Sequence, residues 1–391
     1  MTSYIDRLPQ FVETIRSMMD IILTNIVLIG QVPAPTFNEA ARVDLFLERL
    51  AQFQVDECTT DSYRNPIGII RGSARDKPPI FVVARMDTPF GKELDHHFSI
   101  RQNSVSGVGL LDNSLGVGVL LSLPEILARL DLRFASDIVL AGVIQSIGKG
   151  NMLGMRHLLK NWSTPIRGAV CIESGELGRL NYYSDGMIRC EIVCHVEQAV
   201  ERPQRYKPNA ILVLNEVINQ ILELRLPLKP RTQIILGTVN GGLKHGQLAH
   251  DATLGLEVHS DSDEMVRSLY ADIRDIVAGL GHTFEVGLKL KTISNLNAAH
   301  LKYTHPLVKS AASIMQKLGL EPVSEPSESE LSILLALGIA AVTLGVSHGE
   351  GYQQQEATMQ IEPMFKGIAQ IVGTLMAIDS GVCDDIPVDQ N

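Results

Sequence analysis

Apolar runs of strand length, separated by helix-spaced segments, fill the first half of this chain, and that alternation restricts the folds open to it. Ile67 to Ile70, Ile80 to Ala84, Asp137 to Val143 and Gly168 to Ile172 are the strand-like runs. Among them, Asn113 to Leu130 and Leu153 to Leu159 carry apolar residues at helical spacing. A strand apolar on both faces needs cover above and below, so the order predicts a mixed, mostly parallel sheet flanked by helices. Ahead of it, Phe11 to Ile29 and Asn38 to Phe53 are also helix-spaced. Pro33-Ala34-Pro35 separates them, and Thr36 to Glu39 reads as a capping signal.

The pattern changes near Gly186. Met187 to Val196 alternates like a half-exposed strand, and Asn209 to Leu224 is an amphipathic helix. Strands Thr232 to Leu236 and Thr253 to Val258, helix Ser262 to Leu280 and strand Thr283 to Leu290 follow. This β-α-β-β-α-β order predicts an α+β module of ferredoxin-like type. Helix-strand-helix alternation then returns at Leu307 to Leu318, Ala340 to Val346 and Pro363 to Ile378. With 391 residues to distribute, the expected organisation is one discontinuous α/β domain, 1–185 with 297–391, interrupted by a module over 186–296.

The chain is 45% hydrophobic and 20% charged, with a formal net charge of −10. The acidic balance argues against nucleic acid or an anionic membrane as the main partner. No stretch reaches the roughly 18 uninterrupted apolar residues of a membrane span; Ile21 to Ile29 is too short and contains Thr24 and Asn25. Asp6 and Glu13 lie among the N-terminal basic residues and no small-residue cleavage site follows, so a cytoplasmic location is expected. Cys58, Cys171, Cys190, Cys194 and Cys383 are an odd set without disulfide-framework spacing, and are expected to be reduced, packed thiols.

Several segments together resemble one family. PAPTFNEAARVDLFLERL, RNPIGIIRG, VVARMDTPF, GVGLLDNSLGVGVLL, LGMRHLL and IAAVTLG occur in the order found in co-catalytic zinc peptidases of the peptidase T and glutamate carboxypeptidase type. The likeness runs from about Ile29 to Ile378. It implies a phosphorylase/hydrolase-like α/β fold, with the inserted module as a lid or dimerisation domain. In active members two zinc ions share a carboxylate and activate a bridging water, while a glutamate acts as general base.

At the positions the resemblance assigns to that chemistry, this chain is altered. Arg85 stands where the first zinc-binding histidine is expected; a guanidinium offers only donors and keeps its charge, so it cannot ligate a cation. Asp87 keeps the aspartate that orients that histidine, and Asp112 keeps the bridging carboxylate. Gln145-Ser146 replaces the paired glutamates (base, then ligand), and a shift to Ser146-Ile147 restores no carboxylate. Glu173 keeps the next acidic ligand, whereas the last histidine falls on Gln353. In the module, EQAVERPQRY lacks the expected histidine, the family's asparagine falls near Gly246, and the arginine for a substrate carboxylate falls on His259.

Each surviving residue also has a plain structural reading. Asp112 is placed to cap a helix, Asp87 to cap its turn, and Glu173 to face solvent at a strand end. A sharper expectation is that Arg85 fills the metal's place as counter-ion to Asp112 and Glu173. His96, His97 or His348 would be the replacement ligands of a migrated site. Gly148-Lys149-Gly150 lacks the rest of a phosphate loop, and neither a serine nucleophile elbow nor any other nucleophile–base pair is visible. The expected protein is a peptidase-fold homodimer without hydrolytic activity and without a cofactor, in a binding, regulatory or assembly role, with a small peptide or other small molecule as a possible ligand. The alternative is a peptidase or amidohydrolase with a rebuilt site and two zinc ions.

Overall fold

The apolar runs become the interior of a seven-stranded sheet in a computed structural model that describes residues 2–197, 208–352 and 354–384. The chain divides into two compact units, Met1–Tyr183 with His300–Asn391, and Ser184–Ala299. In the first, the strand order is Glu57–Thr60, Pro66–Ile70, Ile138–Val143, Ile80–Arg85, Gly168–Glu173, Ala341–Gly345 and Leu180–Asn181. The four strands from Ile138–Val143 to Ala341–Gly345 run parallel, and the outer ones pair antiparallel. Every residue of Ile138–Val143 and all but the last of Ile80–Arg85 are buried, which is why neither alternates with polar residues.

Helices cover the sheet. Leu115–Arg129 packs on Met19–Gly30, and Ile361–Asp379 packs on Thr2–Arg16 and Pro306–Lys317. At Gly118 an added Cβ would lie 2.6 Å from the Ile26 backbone, so only glycine permits that close helix contact. The helix expected over Phe11 to Ile29 is two helices, Thr2–Arg16 and Met19–Gly30. They part at Ser17-Met18, where the Ser17 hydroxyl bonds the Thr14 carbonyl and Met18 leaves helical geometry (φ −100°, ψ 12°). By length and composition Leu110–Arg129 and Ile361–Asp379 are each apolar enough to cross a membrane, but 94% and 78% of them is buried inside the protein.

In the second unit, strands Thr232–Gly241, Asp251–Ser260, Gly186–His195 and Gly287–Leu296 form an antiparallel sheet in that order, with helices Ala210–Leu222 and Asp263–Phe284. This is the ferredoxin-like arrangement of a β-α-β-β-α-β chain. Side chains four apart on a strand share a face, so Cys190 and Cys194 both enter the core, beside Ile192, Val217 and Ile273. Burial pushes these thiols up to about 12 and about 11. Asn209 caps Ala210–Leu222 by accepting from the Ile211 amide at 3.0 Å, and Ser262 caps Asp263–Phe284, whose first turn is acidic. All five cysteines are free.

Candidate functional site

The carboxyl ends of parallel strands are where open α/β sheets gather chemistry, and three such ends set this site. Arg85 closes the strand Ile80–Arg85, Glu173 closes Gly168–Glu173, and Gln145-Ser146 lies just past Ile138–Val143. Asp112 comes from the turn before helix Leu115–Arg129. Its neighbour Asn113 donates to the Ile172 carbonyl at 3.1 Å, and Ser174 donates to Asn113 and accepts from the Gly116 amide. These bonds fasten the turn to the strand end. Asp112 is not the helix cap it resembled: it has non-helical geometry (φ −130°, ψ 49°), and Ser114 occupies the cap position.

Arg85 Nη2 lies 3.4 Å from Asp112 Oδ1, and Nη1 lies 3.4 Å from the Asp87 carbonyl. The Arg85 and Asp112 side chains are 15% and 10% exposed, so water screens the pair little. Burial opposes the charge on Arg85, but the field of Glu173, Asp112, Asp87 and Glu330 outweighs it and holds the guanidinium above its ordinary pKa. Glu173 itself is half-buried.

Asp87 is fully buried and organises a neighbouring loop. Its Oδ2 accepts from Thr36 Oγ1 at 2.8 Å and from the Ser146 and Ile147 amides, each at 2.9 Å. The capping role expected for Asp87 therefore falls on the loop after Ile138–Val143, not on its own turn. Beneath lies Arg42, fully buried, with Nη1 on the Met86 carbonyl and two further nitrogens on that of Val32. Burial draws Arg42 down to about 10, with Asp87 opposing. Glu39 accepts from the Gln145 and Phe37 amides, both at 3.0 Å, and burial raises its pKa.

Gln145 does not stand in for a general base. Its Oε1 accepts from Tyr63 Oη at 2.7 Å, and an amide takes up no proton near neutrality. Ser146 Oγ donates to Glu330 Oε1 at 2.5 Å. Glu330, just before helix Leu331–Ala336, is only 3% exposed. Burial pushes it up to about 7, with Glu173 adding to the rise and Ser146 and Arg85 opposing it. Sequence reading missed this residue: 184 positions separate it from Ser146, and its one local signal is a carboxylate ahead of a short helix in PSESELSILL.

His259 belongs to the second unit, where it is 3% exposed and its Nε2 is 2.8 Å from Glu257 Oε2. Arg189 pairs with the same carboxylate. Gln353 and most of EQAVERPQRY fall outside the described residues, and Gly246 sits in an exposed loop. His97 and His348 are exposed, while His96 Nε2 bonds the Gly91 carbonyl at 2.9 Å.

A two-zinc centre needs imidazole and carboxylate ligands converging on each ion. Among the described residues no group of three or more His, Cys, Asp or Glu could hold a metal ion. A guanidinium already lies against Asp112, and the serine at the second glutamate position is bound to Glu330. The residues present do not fit such a centre.

No family model matches the sequence, and no curated protein matches it. Solved structures do match over nearly its whole length. Against the aminopeptidase PepT of Bacillus cereus the TM-score is 0.69 at 14% identity, covering 92% of this chain and 98% of that one. Against the dipeptidase Dug1p of Saccharomyces cerevisiae it is 0.75 at 10% identity, covering 96% and 99%. Against the YXEP protein of Bacillus subtilis, described as a dinuclear metal-binding peptidase of the M20 family, it is 0.63 at 14%, covering 93% and 98%. The chain thus has the fold of M20 peptidases, in a divergent form whose described residues offer no metal-binding group.

Proposed function

We propose that this protein uses the peptidase fold without a metal centre, binding a small peptide or related molecule rather than hydrolysing it through a metal-bound water. The observation that carries this reading is the shielded Arg85–Asp112 pair at the carboxyl end of the central strand. The negative field that would attract a divalent cation is committed to an arginine. Expelling that arginine would break its buried pair with Asp112, and breaking such a pair costs about 3–5 kcal/mol. The small-peptide ligand is suggested by the aminopeptidase and dipeptidase that share the fold.

A homodimer formed through the second unit belongs to the same proposal. Strand Thr232–Gly241 is a sheet edge with Ile235 and Val239 exposed, and helix Ala210–Leu222 exposes Leu212 and Leu222. Light scattering tests it: a dimer mass is expected, and a monomer at all concentrations removes it. A cytoplasmic location is proposed on the five free cysteines.

The decisive experiment joins metal analysis to a hydrolysis assay on di- and tripeptides with zinc, cobalt or manganese added. The expected result is no stoichiometric metal and no chelator-sensitive turnover. Stoichiometric zinc with turnover abolished by chelator would instead establish the rebuilt two-zinc hydrolase.

A further inference from the structure

Ser146 and Glu330 form a hydroxyl–carboxylate pair for which the metal-free reading has no use. We propose that this pair is a nucleophile and its base, making the strand-end cluster a metal-free acyl-transfer site that accepts the acyl group of a carboxylic ester or amide on Ser146 Oγ. The inference goes beyond the function proposed above and rests on its metal-free premise.

Two independent observations carry it. First, Ser146 Oγ donates to Glu330 Oε1 at 2.5 Å, the contact a base needs with the proton it removes. Second, Ser146 follows a strained residue: Gln145 holds a left-handed backbone (φ 54°) between the fully buried strand Ile138–Val143 and the helix Leu153–Asn161. Non-glycine residues adopt such geometry only where surroundings enforce it, and they gather at active sites. Here Glu39 fixes the Gln145 amide, Tyr63 its side chain, and Asp87 the next two amides.

The step balances without a co-reactant beyond water. Ser146 Oγ attacks the acyl carbon, its proton passes to Glu330 Oε1, and the carbonyl electron pair moves to the carbonyl oxygen. Collapse of the tetrahedral adduct expels the amine or alcohol, which takes the proton back from Glu330. Water then releases the acid from the Ser146 ester by the same route. A carboxyl group titrating at about 7 is ionised often enough near neutrality to serve as base while remaining a competent acid.

The test treats the full chain with a fluorophosphonate probe, and separately with p-nitrophenyl acetate, in the presence of EDTA. Adducts are then located by peptide mass spectrometry. Expected are a single adduct on Ser146, none in Ser146→Ala, and a labelling rate about a hundredfold lower in Glu330→Gln. Thermal melts of both variants confirm that they fold. A folded wild-type chain with no Ser146 adduct from either reagent overturns the proposal, as does undiminished labelling in Glu330→Gln. Such a failure leaves the metal-free reading standing, because that reading falls only to bound metal with chelator-sensitive turnover.

Discussion

Two glutamates, a half-buried one in the module and a fully buried one in the α/β unit, meet opposite fates. Glu257 in the module sits between Arg189 and His259, and those direct partners overcome burial and hold it down at about 2. Glu330 in the α/β unit has a serine hydroxyl as its bonded partner and feels Arg85 only through space, so burial wins and lifts it to about 7. Both begin from the same side chain. What separates them is whether a cation makes direct contact, because a charged donor at hydrogen-bond distance offsets desolvation and a neutral one does so only in part. Glu257 thereby stays ionised near neutrality, whereas Glu330 can gain or lose a proton there.

The largest expected effect comes from removing the cation at each place. Arg85→Met breaks the buried pair with Asp112 and should cost about 3–5 kcal/mol in urea unfolding. Arg189→Met leaves Glu257 still bonded to His259, and its cost should be nearer about 1.5–3 kcal/mol. Equal losses would erase the distinction drawn between the two clusters.

The pH dependence should break in opposite directions. Glu330 keeps its proton in the folded state up to about 7, above the ordinary 4.5, so folding binds a proton between those values. Stability from this group is complete below 4.5 and declines as pH rises through about 7. Glu257 titrates at about 2, below 4.5, so its contribution is complete above 4.5 and is lost as pH falls toward 2. Each shift corresponds to at most on the order of 3 kcal/mol. Glu330→Gln should flatten the upper window and leave the lower one, and Glu257→Gln should do the reverse. Thermal melts from pH 3 to 8 (about one point per unit) follow from the same linkage; matching profiles for the two variants would contradict it. Smallest of all, Asn209→Ala removes a helix cap bonded to neither glutamate and should cost about 1 kcal/mol, with no change in either pH window.

How much of this was legible in the sequence follows from how local each signal is. Buried strands announce themselves because every residue of IVLAGV must be apolar, and the module shows itself through the alternation in GMIRCEIVCH. Arg85 and Glu173 could be placed because strand ends follow directly from strands. The capping reading of Asp112 failed because LLDNS leaves helical geometry for two residues before the helix starts, a detail its composition does not encode. Glu330 was invisible for a different reason. Its partner is distant in sequence, and neither a buried carboxyl nor its hydroxyl donor has a spacing rule to betray it.

Zinc-edge anomalous diffraction from crystals grown in excess zinc tests most directly whether an arginine has taken the metal's place. The arrangement described predicts no anomalous peak between Asp112 and Glu173, with density for the Arg85 guanidinium against Asp112 Oδ1. One or two zinc peaks ligated by Asp112 and Glu173, with Arg85 swung away, would contradict it.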